Sequence, residues 1–172
     1  MFNLPPAAIW AIIAVFGGSF LLMIPIAISQ SKRKKKAAEY SKNNSDKAIL
    51  HIYGSSPVID NQKIRDMNYQ KGTDLQYIIA LSPGSHCIEA KYSASEPSLG
   101  KNVNYQTPKI SSTIMFEAGH EYNIAIYFYS PEERYSYYNG DVGECVYSEE
   151  LAVESSRIGS NNRAYIICYK ET

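Results

Sequence analysis

The feature that most constrains this chain is its uncharged start. From Met1 to Ser31 no side chain carries a charge, and Ala7 to Ile28 is almost wholly apolar. About 20 such residues suffice to cross ~30 Å of hydrocarbon. Eleven Leu, Ile, Val or Phe residues lie between Ile9 and Ile28. At roughly −0.3 to −0.6 kcal/mol each, they favour insertion by about −3 to −7 kcal/mol, with no charge opposing it. Pro5-Pro6 suit a first helical turn, where a missing N–H costs little, and membrane helices tolerate the kink Pro25 would bring. The sequence therefore predicts an N-terminal transmembrane anchor within residues 1–31. A cleaved signal peptide is the rival reading, since Ala27-Ile28-Ser29 resembles a cleavage site. It is opposed by the absence of a basic stretch before the run, the length of the run and the basic cluster after it.

That cluster, Lys32-Arg33-Lys34-Lys35-Lys36, begins a collar and linker over residues 32–47. Under the positive-inside rule it orients the N-terminus outward and the C-terminal domain into the cytosol. The five cations either contact anionic lipid, at about 1 kcal/mol each, or act only as a stop-transfer signal. Ala7, Ala11, Ala14 and Gly18 form a stripe of small side chains. Such stripes let helices approach closely, so a partner helix or a second copy is an expected neighbour, and a homo-oligomer through this helix is one outcome. Asn43-Asn44-Ser45 matches a glycosylation sequon, idle in a cytosolic domain.

Charge is divided along the chain. Residues 1–47 hold seven Lys/Arg against Glu39 and Asp46, a net of +5, and residues 48–172 hold ten against fifteen Asp/Glu, a net of −5. An acidic domain argues against nucleic acid, because phosphate binding needs clustered cations. Cys87, Cys145 and Cys168 are odd in number and widely spaced, which is no disulfide framework. Free thiols suit a reducing compartment, while one bridge with a leftover thiol stays open.

Residues 48–172 consist of short runs rich in Ile, Tyr and Val, separated by Gly, Pro, Asn and Ser. This pattern predicts strands near Ala48–Tyr53, Pro57–Asp60, Lys63–Asp66, Leu75–Leu81, His86–Tyr92, Thr113–Glu117, Tyr122–Tyr129, Glu144–Tyr147 and Arg163–Tyr169, with a short helical turn near Glu149–Glu154. Ala37 to Lys47 lacks apolar periodicity and reads as a linker. The expected fold class is all-β: a small antiparallel β-sandwich preceded by one transmembrane helix.

Three segments carry a family likeness. Leu81-Ser82-Pro83-Gly84-Ser85-His86 resembles the "PG-x-H" strand start of PEGA-type bacterial β-sandwich domains. Phe116-Glu117-Ala118-Gly119-His120-Glu121-Tyr122 is similar to the "aG-x-x-Y" strand start of related domains of unknown function. Val58-Ile59-Asp60-Asn61-Gln62 resembles their "V-x-I-D-G" hairpin, with Asn61 in place of Gly. The likeness covers the first half of the domain, to about Tyr127, and the Pro-Glu-Gly-Ala tetrapeptide is absent. It implies a small non-catalytic sandwich of the bacterial envelope, transfers no binding residue, and with the anchor makes a bacterial inner membrane the expected location.

Chemistry is sparse. His86 and His120 both follow turn glycines, so a metal-dependent enzyme built on them is one reading, and turn-edge histidines with local hydrogen bonds are the other. A zinc site wants three or four ligands, and no metal or cofactor is expected. Neither GxSxG, HExxH nor a phosphate-binding loop occurs. The stretch from Tyr127 to Gly140 mixes aromatics with polar loop residues, the composition of binding surfaces. Arg134, Tyr135, Tyr137 and Tyr138 are its candidate partner-binding residues, and a self-packed long hairpin is the other reading of the stretch. The sequence thus predicts a membrane-tethered, non-catalytic interaction module whose partners are the lipid bilayer and a protein. An envelope-facing domain of reversed topology, binding glycan or peptide through its tyrosines, is the alternative.

Overall fold

The computed structural model describes residues 28–53, 57–98, 101–155 and 163–171. Ala48-Ile49-Leu50-His51-Ile52-Tyr53 is apolar at nearly every position, as suits a strand covered on both faces. It forms β1 (Ala48–Tyr53), which pairs in parallel with β10 (Glu121–Tyr127) and antiparallel with β5 (Tyr77–Leu81). With β13 (Arg163–Lys170), β11 (Glu144–Ala152) and β4 (Tyr69–Lys71), these make a six-stranded sheet in the order β11-β13-β10-β1-β5-β4. A second sheet joins β3 (Gln62–Lys63), β2 (Val58–Ile59), β6 (Gly84–Ala90) and β9 (Ile110–Phe116), in that order. A third is small: β12 (Glu154–Ser155), β8 (Lys101–Gln106) and β7 (Ser93–Ser98).

The core lies between the two larger sheets. Leu50, Ile124 and Ile166 from the six-stranded sheet meet Ile88, Ile114 and Phe116 from the other, all at most 3 % exposed. Burying each such side chain is worth about 1.5–3 kcal/mol. A satellite core forms where Phe128 sits edge-on to Tyr92 and Tyr105, at ring distances of 5.0 and 5.5 Å. In β8, Val103 and Tyr105 alternate as buried positions within an otherwise polar run, which is why this strand escapes a composition-based reading.

The expected all-β sandwich needs several corrections. The β1–β10 pair is parallel, so the main sheet is mixed rather than antiparallel. Ile64–Asp66 is a 3-10 turn and not a strand, and Glu149–Glu154 falls largely within β11. Between β2 and β3, Asp60 and Asn61 take φ of 48° and 64°. Two consecutive positive values define the type I′ hairpin turn, and Asp/Asn tolerate them better than other non-glycine residues. Gly84 (φ 137°) and Gly119 (φ 74°) stand at the starts of β6 and β10, as the sequence predicts.

The transmembrane prediction does not stand. Among the described residues no helix is long and apolar enough to cross a membrane. The predicted span falls outside the described residues except for Ile28, and the stripe of Ala7, Ala11, Ala14 and Gly18 lies wholly outside them. The single-pass topology and the membrane location are corrected with it. What is described at this end is a helix, α1 (residues 28–43), that contains the collar itself, with Lys32, Lys34, Lys35 and Lys36 exposed and Arg33 half-buried. Cations through its first half make α1 too polar for hydrocarbon.

The predicted linker is therefore mostly helix. Positions 33, 37, 40, 41 and 44 are half-buried, a helical stripe made of small and polar side chains. Tyr40 anchors it. Its hydroxyl donates to Asn68 O (2.8 Å) and accepts from Ala80 N (3.1 Å), bridging the gap where β4 ends beside β5. Tyr40→Phe removes both bonds and leaves two backbone groups to find water. A loss of about 1–3 kcal/mol is expected by urea denaturation, with faster amide exchange at Ala80.

Candidate functional site

The outer face of the six-stranded sheet carries the site. After β10 the chain leaves the sheet at Phe128 and reaches Ser130-Pro131-Glu132-Glu133. Ser130 Oγ accepts from Glu133 N (3.2 Å) and Glu133 Oε2 accepts from Ser130 N (2.7 Å). This reciprocal capping box, with Pro131 in the first turn, starts a helix, α2 (Pro131–Tyr138). It ends at Asn139, followed by Gly140 at φ 79°. The predicted tyrosine loop is thus a helix, and S-x-x-E was the signal for it.

The helix sorts the four candidate residues by direction. Arg134 lays its guanidinium over the Tyr165 ring, 4.1 Å from the centroid, and its buried Nε has no hydrogen-bond partner among the described residues. The hydroxyl of Tyr138 lies 2.9 Å from Ser148 Oγ on β11. These two residues pin α2 to the sheet. Tyr135 points away and is 68 % exposed. Tyr137 turns inward and joins a row of rings: Tyr127 to Tyr129 at 5.8 Å, Tyr129 to Tyr137 at 5.5 Å, Tyr137 to Tyr169 at 5.1 Å. The first two pairs are edge-to-face and the third is tilted, and aromatic pairs of this kind stabilise by about 0.5–1.5 kcal/mol each.

The row walls a cavity of about 680 Å³. Six tyrosines line it: Tyr53 at the end of β1, Tyr92 before β7, Tyr127 and Tyr129 beyond the centre of β10, Tyr137 of α2 and Tyr169 of β13. Asn123 is 3 % exposed and donates from Nδ2 to Glu171 Oε1 at 2.6 Å, which fixes that carboxylate beside the cavity. Among the described residues no lysine or arginine lines it.

Burial raises the Tyr129 hydroxyl far above the ordinary phenol range, with Tyr137, Tyr169, Glu133 and Tyr127 adding to the effect. Burial also pushes Tyr169 up to about 12, assisted by Tyr137, Tyr53 and Glu171. Tyr53 and Tyr137 move the same way, first through burial and then through nearby carboxylates, Asp74 and Glu171 for the one and Glu133 for the other. The rings therefore stay neutral at physiological pH, and the charge they feel is negative.

A second cavity, about 600 Å³, opens between α1 and the sheet. Lys34, Lys42, Lys47, His51, His120 and Glu121 are among its lining residues, with His51 Nε2 3.0 Å from Glu121 Oε2. His120 belongs here. His86 does not: its Nδ1 is 2.6 Å from Asp60 Oδ2 and its Nε2 is 2.7 Å from Ser82 O. Both nitrogens are occupied, one at the β2–β3 turn and the other at the turn between β5 and β6. Among the described residues no group of three or more His, Cys, Asp or Glu is placed to hold a metal ion. All three cysteines are free thiols, and burial pushes Cys168 up to about 12, leaving it unreactive.

Sequence reasoning found Tyr137 and missed most of its company. Tyr53, Tyr129 and Tyr169 sit at positions that read as ordinary strand aromatics, and only pairing across the sheet brings them together. Compared with protein-family models, curated proteins and solved structures, the chain has no match in any of the three.

Proposed function

We propose that this chain is a non-catalytic interaction module that takes a side chain of a protein partner into its tyrosine-lined cavity. The observation that carries this reading is the convergence of six tyrosines on one open cavity of about 680 Å³. Tyrosine supplies large contact area with few rotatable bonds, so little entropy is lost on binding. Burial keeps the Tyr129 and Tyr169 hydroxyls protonated, which leaves the rings as neutral contact surfaces. Tyr135, exposed on the outer side of α2, is available as a rim contact, while Arg134 and Tyr138 act by holding α2 in place.

Peptides selected against the 172-residue chain from a random displayed library test the proposal. Selected peptides are expected to bind the wild type and to lose at least about tenfold in affinity, ~1.4 kcal/mol, with Tyr137→Ala. Met115→Ala, on the exposed face of the other sheet, is expected to leave affinity unchanged. Peptides that bind Tyr137→Ala as well as wild type would overturn the reading.

A further inference from the structure

The cavity's chemistry narrows what enters it. Six tyrosines line it, and the face of an aromatic ring carries the negative lobe of its quadrupole. Glu171 stands beside it, held by Asn123 at 2.6 Å, and Glu133 caps the helix that supplies Tyr137. Among the described residues no lysine or arginine lines the space. Elsewhere the fold sets its own cations on tyrosine faces: Lys71 Nζ lies 3.1 Å from the Tyr77 centroid, and Arg134 lies over Tyr165. Residues 48–172 carry ten Lys/Arg against fifteen Asp/Glu, so the surroundings favour positive charge as well.

Resting on the module reading above, we infer that the group taken into the cavity is an alkylated ammonium, as on a methylated lysine side chain. A cation over several ring faces is attracted electrostatically, most strongly where water is excluded. A plain ammonium brings three N–H donors that each need an acceptor, which ring faces do not supply and which only the phenol hydroxyls at the ring tips could. Alkylation removes those donors, lowers the cost of leaving water and presents apolar methyl groups to the rings. The charge then meets the ring quadrupoles, with the Glu171 carboxylate beside the cavity.

The test compares probes of equal shape and different charge, by NMR titration of the tyrosine ring signals of the 172-residue chain. Choline is expected to bind at least tenfold more tightly than 3,3-dimethyl-1-butanol, its uncharged isostere. A glycine-flanked trimethyllysine peptide is expected to bind more tightly than choline and to outbind its neutral carbon isostere by a similar factor. Tyr137→Ala abolishes these differences, Tyr137→Phe retains them within threefold, and Glu171→Gln weakens the charged probes several-fold while sparing the neutral ones. Equal binding of charged and neutral probes would sink the cation inference and leave the module reading intact. Choline binding as tightly as the peptide would keep the ammonium chemistry and overturn the choice of a protein partner.

Discussion

Replacing Phe116 by alanine is expected to cost about 3–5 kcal/mol, the usual toll for an aromatic lost from a packed core. Phe116 is 1 % exposed and stands edge-on to Tyr122, 4.9 Å between ring centres at 78°. Tyr122 in turn accepts a hydrogen bond from Glu117 N through its hydroxyl (2.9 Å). The pair joins the end of β9 to the start of β10, the strand that runs on to the tyrosine row. Against a typical total of about 5–15 kcal/mol, the loss is a large share of stability. Urea denaturation reads it directly. Met115→Ala is the internal control: its side chain is 62 % exposed on the other face of the same strand, so a change within about 0.5 kcal/mol is expected. Equal effects at the two positions would show that β9 is not oriented as described.

Gly143→Ala is expected to act on stability and on the site together. A Cβ at this position would lie 2.4 Å from Lys170 O and 2.9 Å from Tyr169 Cδ2. The first neighbour is backbone of β13 and cannot swing aside. Relief requires β11 and β13 to part at this end, where Lys170 also bridges Glu117 (3.1 Å) and Glu144 (2.8 Å). Overpacking of this kind costs about 1–3 kcal/mol. Because the second neighbour is a cavity ring, the signals of Tyr169 are expected to shift and affinity for the tyrosine-site probes to fall. Unchanged Tyr169 signals in a destabilised variant would mean that the strain is absorbed in the loop before β11.

The strands were legible where apolar residues dominate. β1, β10 and β13 lie at or within a residue or two of their predicted bounds, because each is covered on both faces and reads as a nearly continuous apolar run. β7 and β8 were not, since their half-exposed hairpin is polar at most positions. α2 could have been read from its capping box. α1 could not be read from periodicity: its docking rests on one tyrosine hydroxyl bridging two strands, with small and polar residues around it. Hydrophobic patterning has no term for such a contact. The uncharged run from Met1 to Ser31 predicted a span, and the described helix beside it proves too polar to be one.

By itself, the sequence determined a domain built mainly of strands, a split between a basic start and an acidic remainder, and a cluster of tyrosines near Tyr135. Those properties are local: they follow from side-chain periodicity and charge over a few consecutive residues. The tertiary structure decided that β1 and β10 run parallel, that α1 covers one part of the outer sheet face and α2 another, and which tyrosines meet. Rings from positions as distant as 53 and 169 share one cavity because strand pairing aligns Tyr53 with Ala125 and Ala125 with Ile167. Such register is a property of long-range hydrogen bonding, which no stretch of sequence carries alone.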